Sequence, residues 1–176
     1  PNKIEEKINK TTKAVIAVDY AGHAADYNRL KEITKKYNLS LIADACHAIG
    51  GKFEDKNVGE LADLNTFSFH PVKHITTGEG GIITTNNKNY YNRMKLFRNH
   101  GITSDHRERE KNNSWFYEMI DLGYNYRISD IQCALGISQL TKLQSWVMKR
   151  KKIAKKYDNL FKNVEFINPL KVKSNI

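Results

Sequence analysis

Three residues stand where apolar segments give way to loops, and their types could do chemistry. Asp44 ends the run in ADACHAIGG, Ser68 lies inside FSFHP, and Lys73 follows five residues later, ahead of TTGEGG. A carboxylate at the end of a buried strand is costly unless it meets a cation. A lysine in a glycine-rich loop beside apolar strands can lose its proton through desolvation. Its neutral amine can then condense with a carbonyl to give a Schiff base. Asp44 could hold a protonated ring nitrogen, the pairing that a pyridine cofactor requires. Ser68 and neighbouring backbone N–H groups could bind a phosphate. Each residue alone also has a plainer reading. Lys73 is one of 22 lysines, most of which must face solvent, and Asp44 could cap a helix that follows the strand.

Residues of this kind need elements to hold them. Ala14–Val18 (AVIAV) reads as a strand buried on both faces. Asp26 to Tyr37 reads as a helix with Leu30, Ile33 and Tyr37 on one face and Asp26 as its cap. Ser40–Ala43 is a second strand, so the three segments form a βαβ unit. Leu64–Phe69 and Gly81–Thr85 read as further strands, and the stretch between them has no period. Lys88–Asn99 reads as a helix with Tyr90, Tyr91, Met94 and Phe97 inward, ended by Gly101. Thr103–Asn113 reads as a polar loop. Ser129 to Gln132 matches a capping box opening a helix to Leu140. A last helix spans Leu143–Phe161, with Trp146, Val147, Ile153, Tyr157, Leu160 and Phe161 at helical spacing.

The 176 residues, 40% hydrophobic and 27% charged, belong to the soluble globular class, and the length suits one domain. No apolar run approaches the ~20 residues that span a bilayer. The polar first residues lack an apolar h-region, so no signal peptide is expected. Two cysteines without CxxC spacing make a reducing cytoplasm the expected location. The net charge is +10, and Lys142 to Lys173 holds ten Lys/Arg against two Asp/Glu. MKRKKIAKKY reads as an amphipathic helix with a solvated basic face and Ile153 and Tyr157 inward. It has neither an aromatic platform for nucleic acid nor a bulky apolar face for a membrane, so neither partner is expected. Asp44, Cys46 and His47 could suggest a metal site. On a continuing strand 44 and 46 would face one way and 47 the other, so no metal is expected. His23, His70 and His74 lie on the same loops and are candidates for substrate or phosphate contact.

The ordered run DACHAIGG, FSFHPVKHITTGEGGIITT, RNHGI and GYNYRISDIQCALGISQL resembles the DegT/DnrJ/EryC1/StrS sugar aminotransferases, from about Val15 to the end. The resemblance implies fold-type I enzymes that use pyridoxal 5'-phosphate on nucleotide-linked keto-sugars. It implies an α/β fold, part of the large domain, with a mostly parallel sheet and flanking helices. Residues 1–140 would be the central part of that cofactor-binding domain, and 141–176 the long basic helix and the start of a smaller C-terminal domain. Lys73 would be the Schiff-base lysine, Asp44 the partner of the pyridine nitrogen and Ser68 a phosphate ligand. His47 would lie near the cofactor's phenolic oxygen, where glutamine is commoner. Asn125 would reach the phosphate of the neighbouring subunit's cofactor, which implies a homodimer with shared active sites. Arg127 would support that loop or the substrate phosphates. The family's upstream Gly-Thr/Ser phosphate turn, its ring-stacking aromatic residue and its small domain find no match, so the chain is expected to be an internal fragment, inactive alone.

VDYAG, His47, SFHPVKHITTGEGG and MKLFRNHGI are similar to the branch serving pseudaminic acid biosynthesis. That branch implies amino transfer, from L-glutamate, to the 4-keto carbon of a UDP-linked 2-acetamido-2,6-dideoxy-hexulose. A perosamine- or bacillosamine-type sugar aminotransferase is the alternative within the family. A non-catalytic basic α/β module that binds polyanions is the alternative outside it.

Overall fold

The computed structural model describes residue 1, residues 3–104 and residues 106–173. The chain divides into two compact units, Pro1–Thr84 with Asp130–Ile176, and Thr85–Ser129.

The first unit is built on a four-stranded sheet. Its strands are β1 (Ala14–Val18), β2 (Ser40–Asp44), β5 (Leu64–Ser68) and β6 (Gly81–Thr84), in the order β1-β2-β5-β6. The pairs β1–β2 and β2–β5 are parallel and β5–β6 is antiparallel, so the expected α/β architecture with a mostly parallel sheet is present. A short hairpin of β3 (Lys52–Phe53) and β4 (Lys56–Asn57) lies within the glycine-punctuated loop after β2.

Helix α1 (Tyr27–Tyr37) starts where its sequence says it should, because Asp26 accepts a hydrogen bond from Arg29 N–H at 3.1 Å. Leu30 and Ile33 are buried, and Leu30 joins Ala17, Leu41, Ala43 and Phe67 in the core. Full burial of a side chain such as Leu41 stabilises the fold by about 1.5–3 kcal/mol. Tyr37 is instead partly exposed and donates its hydroxyl to Glu5.

The strands alternate, as a pleat requires. Val15, Ala17, Leu41, Ala43, Asn65 and Phe67 share the face toward α1. Ile16, Val18, Ile42, Asp44, Thr66 and Ser68 share the other. On that second face Ile16 is 65% and Val18 53% exposed, so β1 is not covered on both sides as its apolar run predicts. An apolar run records which side chains could be buried; coverage needs a second layer, and the described residues place none over this part of β1.

Asp19, directly after β1, is fully buried. Its carboxylate accepts hydrogen bonds from Tyr27 Oη at 2.9 and 3.0 Å and from Ala25 N–H at 2.9 Å. Burial pushes its carboxyl above the ordinary value, against those hydrogen bonds. Asp19→Ala leaves both donors unpaired in the core and is expected to cost about 2–4 kcal/mol in chemical unfolding of the whole protein. Asp19→Asn keeps one acceptor and is expected to cost less. A carboxyl raised in the folded state stabilises below its unfolded value and loses that contribution as pH rises through the folded one. The deficit of Asp19→Asn should therefore be largest in acid and shrink toward neutral pH.

Two helices complete this unit, α4 (Asp130–Leu140) and α5 (Leu143–Phe161). Both bounds match those read from the capping box and the helical period. The expected inward stripe of α5 does not hold over its whole length. Leu143 is buried, but Ile153 is 55% and Tyr157 56% exposed. Helical spacing identifies a common face, and α5 is buried chiefly at its first turns, at Leu143 with Trp146 and Val147 half-buried.

The second unit contains α2 (Lys88–Phe97), capped by the Asn87 side chain, and α3 (His106–Lys111). The latter is a helix within the segment expected to be a loop. Tyr91 and Phe97 of α2 are more than a third exposed rather than inward. Phe97 lies in an aromatic cluster with Tyr124 and Tyr126, whose rings stack 5.0 Å apart. Gly101, at φ +68°, ends the turn after α2, where any Cβ would collide with the carbonyl of Asp121.

Candidate active site

Ligands of parallel α/β sheets bind beyond the carboxyl ends of the strands. Asp44 and Ser68 are the last residues of β2 and β5, which are parallel neighbours. The register sets Val18, Asp44 and Thr66 side by side, with Ser68 two residues further along the same face. Strand alternation thus brings residues 24 apart in sequence onto one surface.

The strand does not continue past Asp44. Residues 46–47 form a turn, closed by Ala48 N–H to Ala45 O at 2.9 Å, so the alternation expected for 44, 46 and 47 does not apply. Asp44 caps no helix either. Its Oδ1 accepts from Cys46 N–H at 3.2 Å, and the Cys46 thiol reaches the carbonyl of Thr66 at 3.9 Å. The thiol contributes most to holding the Asp44 carboxyl below the usual carboxylate range. Burial opposes it, while the Cys46 N–H and the charges of His47 and Lys73 add to it. Asp44 is therefore ionised at neutral pH.

His47 packs edge-on against Tyr20, with ring centroids 5.7 Å apart, and Ala21 N–H points at its Nδ1 from 3.5 Å. Gly22, at φ +86°, passes close beneath, where a Cβ would stand 3.1 Å from the His47 carbonyl oxygen.

Lys73 sits half-buried in a turn whose N–H bonds back to His70 O at 3.0 Å. Ser68 Oγ accepts from His70 N–H at 3.3 Å. The loop that carries Lys73 is fastened to α4 at three points. Gln139 Oε1 accepts from Thr76 N–H at 3.3 Å, Gln132 Nε2 donates to Glu79 O at 2.7 Å, and Gly136 lets Thr77 approach. A Cβ on Gly136 would lie 2.9 Å from the Thr77 methyl group. At the other loop, Gly50 packs under Val147 and Leu143 of α5.

His74 shares these surroundings. Its Nδ1 is buried with no hydrogen-bond partner among the described residues. Burial pushes the imidazole below its ordinary value, and Arg150, His47 and Lys73 push the same way. An imidazole so placed is neutral at pH 7.

Of the residues expected from sequence, Asp44, His47 and Lys73 lie within one electrostatic neighbourhood, and Ser68 lies on the Asp44 face of the sheet. Asn125 belongs to the second unit, where it is exposed and bridges to Asn99. The chain on either side of it is clamped by His100 N–H to Tyr124 O and Tyr126 N–H to Arg98 O, both 2.9 Å. Arg127 Nη1 supports the same segment, donating to Asn99 Oδ1 at 2.8 Å. His23 donates from Nδ1 to Ala24 O at 3.1 Å and accepts at Nε2 from Lys173 N–H at 3.4 Å. His70 meets Glu79 at 2.9 Å. Sequence reasoning missed Asp19, Tyr20 and the bond between Cys46 and Asp44. The signal for Asp19 was present, since it follows an apolar strand just as Asp44 ends one. Among the described residues no group of three His, Cys, Asp or Glu could hold a metal ion, and no helix is long and apolar enough to cross a membrane.

Comparison with known proteins gives this geometry a lineage. The chain is 43% identical over 174 residues to the UDP-4-amino-4,6-dideoxy-N-acetyl-beta-L-altrosamine transaminase of Campylobacter jejuni (serotype O:23/36, strain 81-176). That alignment covers 97% of this chain and 44% of the relative. Among solved structures it resembles Helicobacter pylori PseC, an aminotransferase of pseudaminic acid biosynthesis, with a TM-score of 0.84 and 39% identity over 92% of this chain and 42% of that one. Spr1654 from Streptococcus pneumoniae in its PLP form is similar at a TM-score of 0.81 and 30% identity, over 92% of this chain and 44% of that one. The chain therefore spans less than half the length of the relatives it matches, and it has their fold. Residues 1–175 match throughout, and the chain belongs to the DegT/DnrJ/EryC1/StrS aminotransferase family.

Proposed function

We propose that the whole protein transfers an amino group from L-glutamate to the 4-keto carbon of a UDP-linked 2-acetamido-2,6-dideoxy-hexulose, using pyridoxal 5'-phosphate. The observation that carries this reading is an ionised Asp44 at the end of a parallel strand, within range of the Lys73 charge, in a chain of this family. The choice of sugar rests on the likeness to the altrosamine transaminase.

The donor set suits the cofactor: an ionised carboxylate, a lysine amine, and a hydroxyl at the end of the next strand. When bound, pyridoxal phosphate supplies the carbonyl that exchanges amino groups and a ring that accepts electrons. Asp44 would accept the hydrogen bond of the ring nitrogen, its carboxylate favouring the protonated ring. Lys73 Nζ would anchor the cofactor and, as a free amine, would carry a proton to and from the substrate carbon. Ser68 Oγ would bind the phosphate, together with Asn125 of a second copy in a homodimer. His47 would lie near the phenolic oxygen. Residues 1–140 serve as the central part of the cofactor-binding domain of a cytoplasmic enzyme.

The test is direct. The whole protein, given pyridoxal phosphate, glutamate and the UDP-linked 4-keto sugar, is expected to form amino-sugar and 2-oxoglutarate in equal amounts. Absence of 2-oxoglutarate with any 4-keto UDP-sugar, alongside steeply salt-dependent nucleic-acid binding, would replace this reading with that of a polyanion-binding module.

A further inference from the structure

Helix α4 meets the loop of Lys73 through a polar stripe. Within this helix Gln132, Cys133, Gly136 and Gln139 are half-buried, while the bulkier Ile131, Leu135, Ile137 and Leu140 are exposed. Gln132, Gly136 and Gln139 stand at i, i+4 and i+7, which is one face of a helix. Each meets the loop in its own way. Gln139 accepts from Thr76 N–H at 3.3 Å through Oε1, and Gln132 donates to Glu79 O at 2.7 Å through Nε2. An amide facing an N–H must present its oxygen, and one facing a carbonyl must present its nitrogen, so the partners fix both roles. Between them Gly136 makes room for Thr77, which is 4% exposed; a Cβ there would stand 2.9 Å from the Thr77 methyl group. Glycine inside a helix is costly relative to alanine, and close approach to the loop is what it supplies here.

Lys73 lies three residues before Thr76 in the same loop. That loop is closed on itself: Thr77 N–H and Thr76 Oγ donate to Phe69 O at 3.0 and 2.9 Å, and Phe69 N–H donates to Gly80 O at 2.8 Å. It therefore moves as one piece. Ile75, 3% exposed, seats the piece in the core, but apolar burial has no direction and sets no orientation. Two hydrogen bonds from one helix face, about 10 Å apart along its axis, do set one. We propose that Gln139 and Gln132 are positioning residues. One as acceptor and the other as donor, they hold the loop in the orientation from which the Lys73 amine takes up its carbonyl partner. This role rests on the proposed function, in which Lys73 anchors the cofactor.

The experiment uses the whole protein, unaltered and with Gln139→Leu, Gln139→Glu or Gln132→Glu. Pyridoxal phosphate is added to the cofactor-free protein, and borohydride stops the reaction at timed intervals. The lysine amine condenses with the aldehyde and releases water. Borohydride then delivers hydride to the C=N bond, leaving a secondary amine that peptide mass spectrometry locates. Gln139→Leu removes the acceptor and Gln132→Glu removes the donor, and each is expected to slow labelling of Lys73 about fivefold, the scale of one net hydrogen bond. Gln139→Glu keeps an acceptor and is expected to stay within about twofold of the unaltered protein. Hydrogen exchange of residues 74–80 in the cofactor-free protein is expected to quicken in the same two slow variants. Helix stability alone predicts the opposite order, because the helix dipole favours glutamate at 132, in the first turn, over 139, in the last. Equal labelling in all four proteins, or slower labelling in Gln139→Glu than in Gln132→Glu, overturns the role of the glutamines alone. Labelling of a different lysine in the unaltered protein overturns Lys73 as the anchor, and the role of the glutamines with it.

Discussion

Lys73→Ala in the whole protein should abolish transamination and the visible absorbance of bound cofactor together, while leaving the fold in place. Removal of a group that both anchors the cofactor and moves the proton is expected to cut turnover at least about a thousandfold. The fold should survive because Lys73 is only half-buried and the bond it makes among the described residues, N–H to His70 O, is made by the backbone. Lys73→Arg separates charge from chemistry. It keeps a cation near Asp44, but guanidinium stays protonated and cannot condense with a carbonyl. Activity should therefore be lost in both variants. Retention of a normal absorbance band and activity in Lys73→Ala would show that another group anchors the cofactor and moves the proton.

Asp44→Ala is expected to cost about one to two orders of magnitude in kcat/KM, the scale of a charge-assisted hydrogen bond made in a partly dry site. Asp44→Asn should lose nearly as much, since an amide accepts a hydrogen bond but does not hold the proton on the ring nitrogen by charge. The pH dependence carries a second signature. Cys46, the thiol foremost, keeps the Asp44 carboxyl below the usual range. Its contribution is then present above the ordinary carboxylate value and lost as pH falls through the depressed one. Cofactor affinity, titrated against pH, should stay level through neutrality and fall only in acid. That acid limb should vanish in Asp44→Asn, and an acid limb unchanged in the variant would assign it to another group.

Much of this was legible in the sequence, for local reasons. The bounds of α5 and of α4 follow from apolar spacing and, at the start of α4, a capping signature, both short-range features. Asp26 caps α1 as its residue type predicts. The errors share one cause. AVIAV, the α2 aromatics and the α5 stripe all consist of side chains suited to burial, and whether a face is covered depends on what else packs there. Helix α3 went unread because its six residues are polar throughout and show no apolar period.

The sequence by itself determined the family, the order of the main strands and helices along the chain, and which acid, lysine and serine are the candidates for the site. These are carried by residue type and by spacing within a few turns of chain. The tertiary structure decided what those residues face. Only the pairing of β2 with β5 sets Asp44 beside Thr66, and only the turn after β2 brings the Cys46 N–H onto the carboxylate. Only the attachment of α4 to residues 76–79 fastens the loop of Lys73. Hydrogen bonds and charges act over a few ångströms of space, and chain separation, which is all a sequence records, does not reveal which residues come that close.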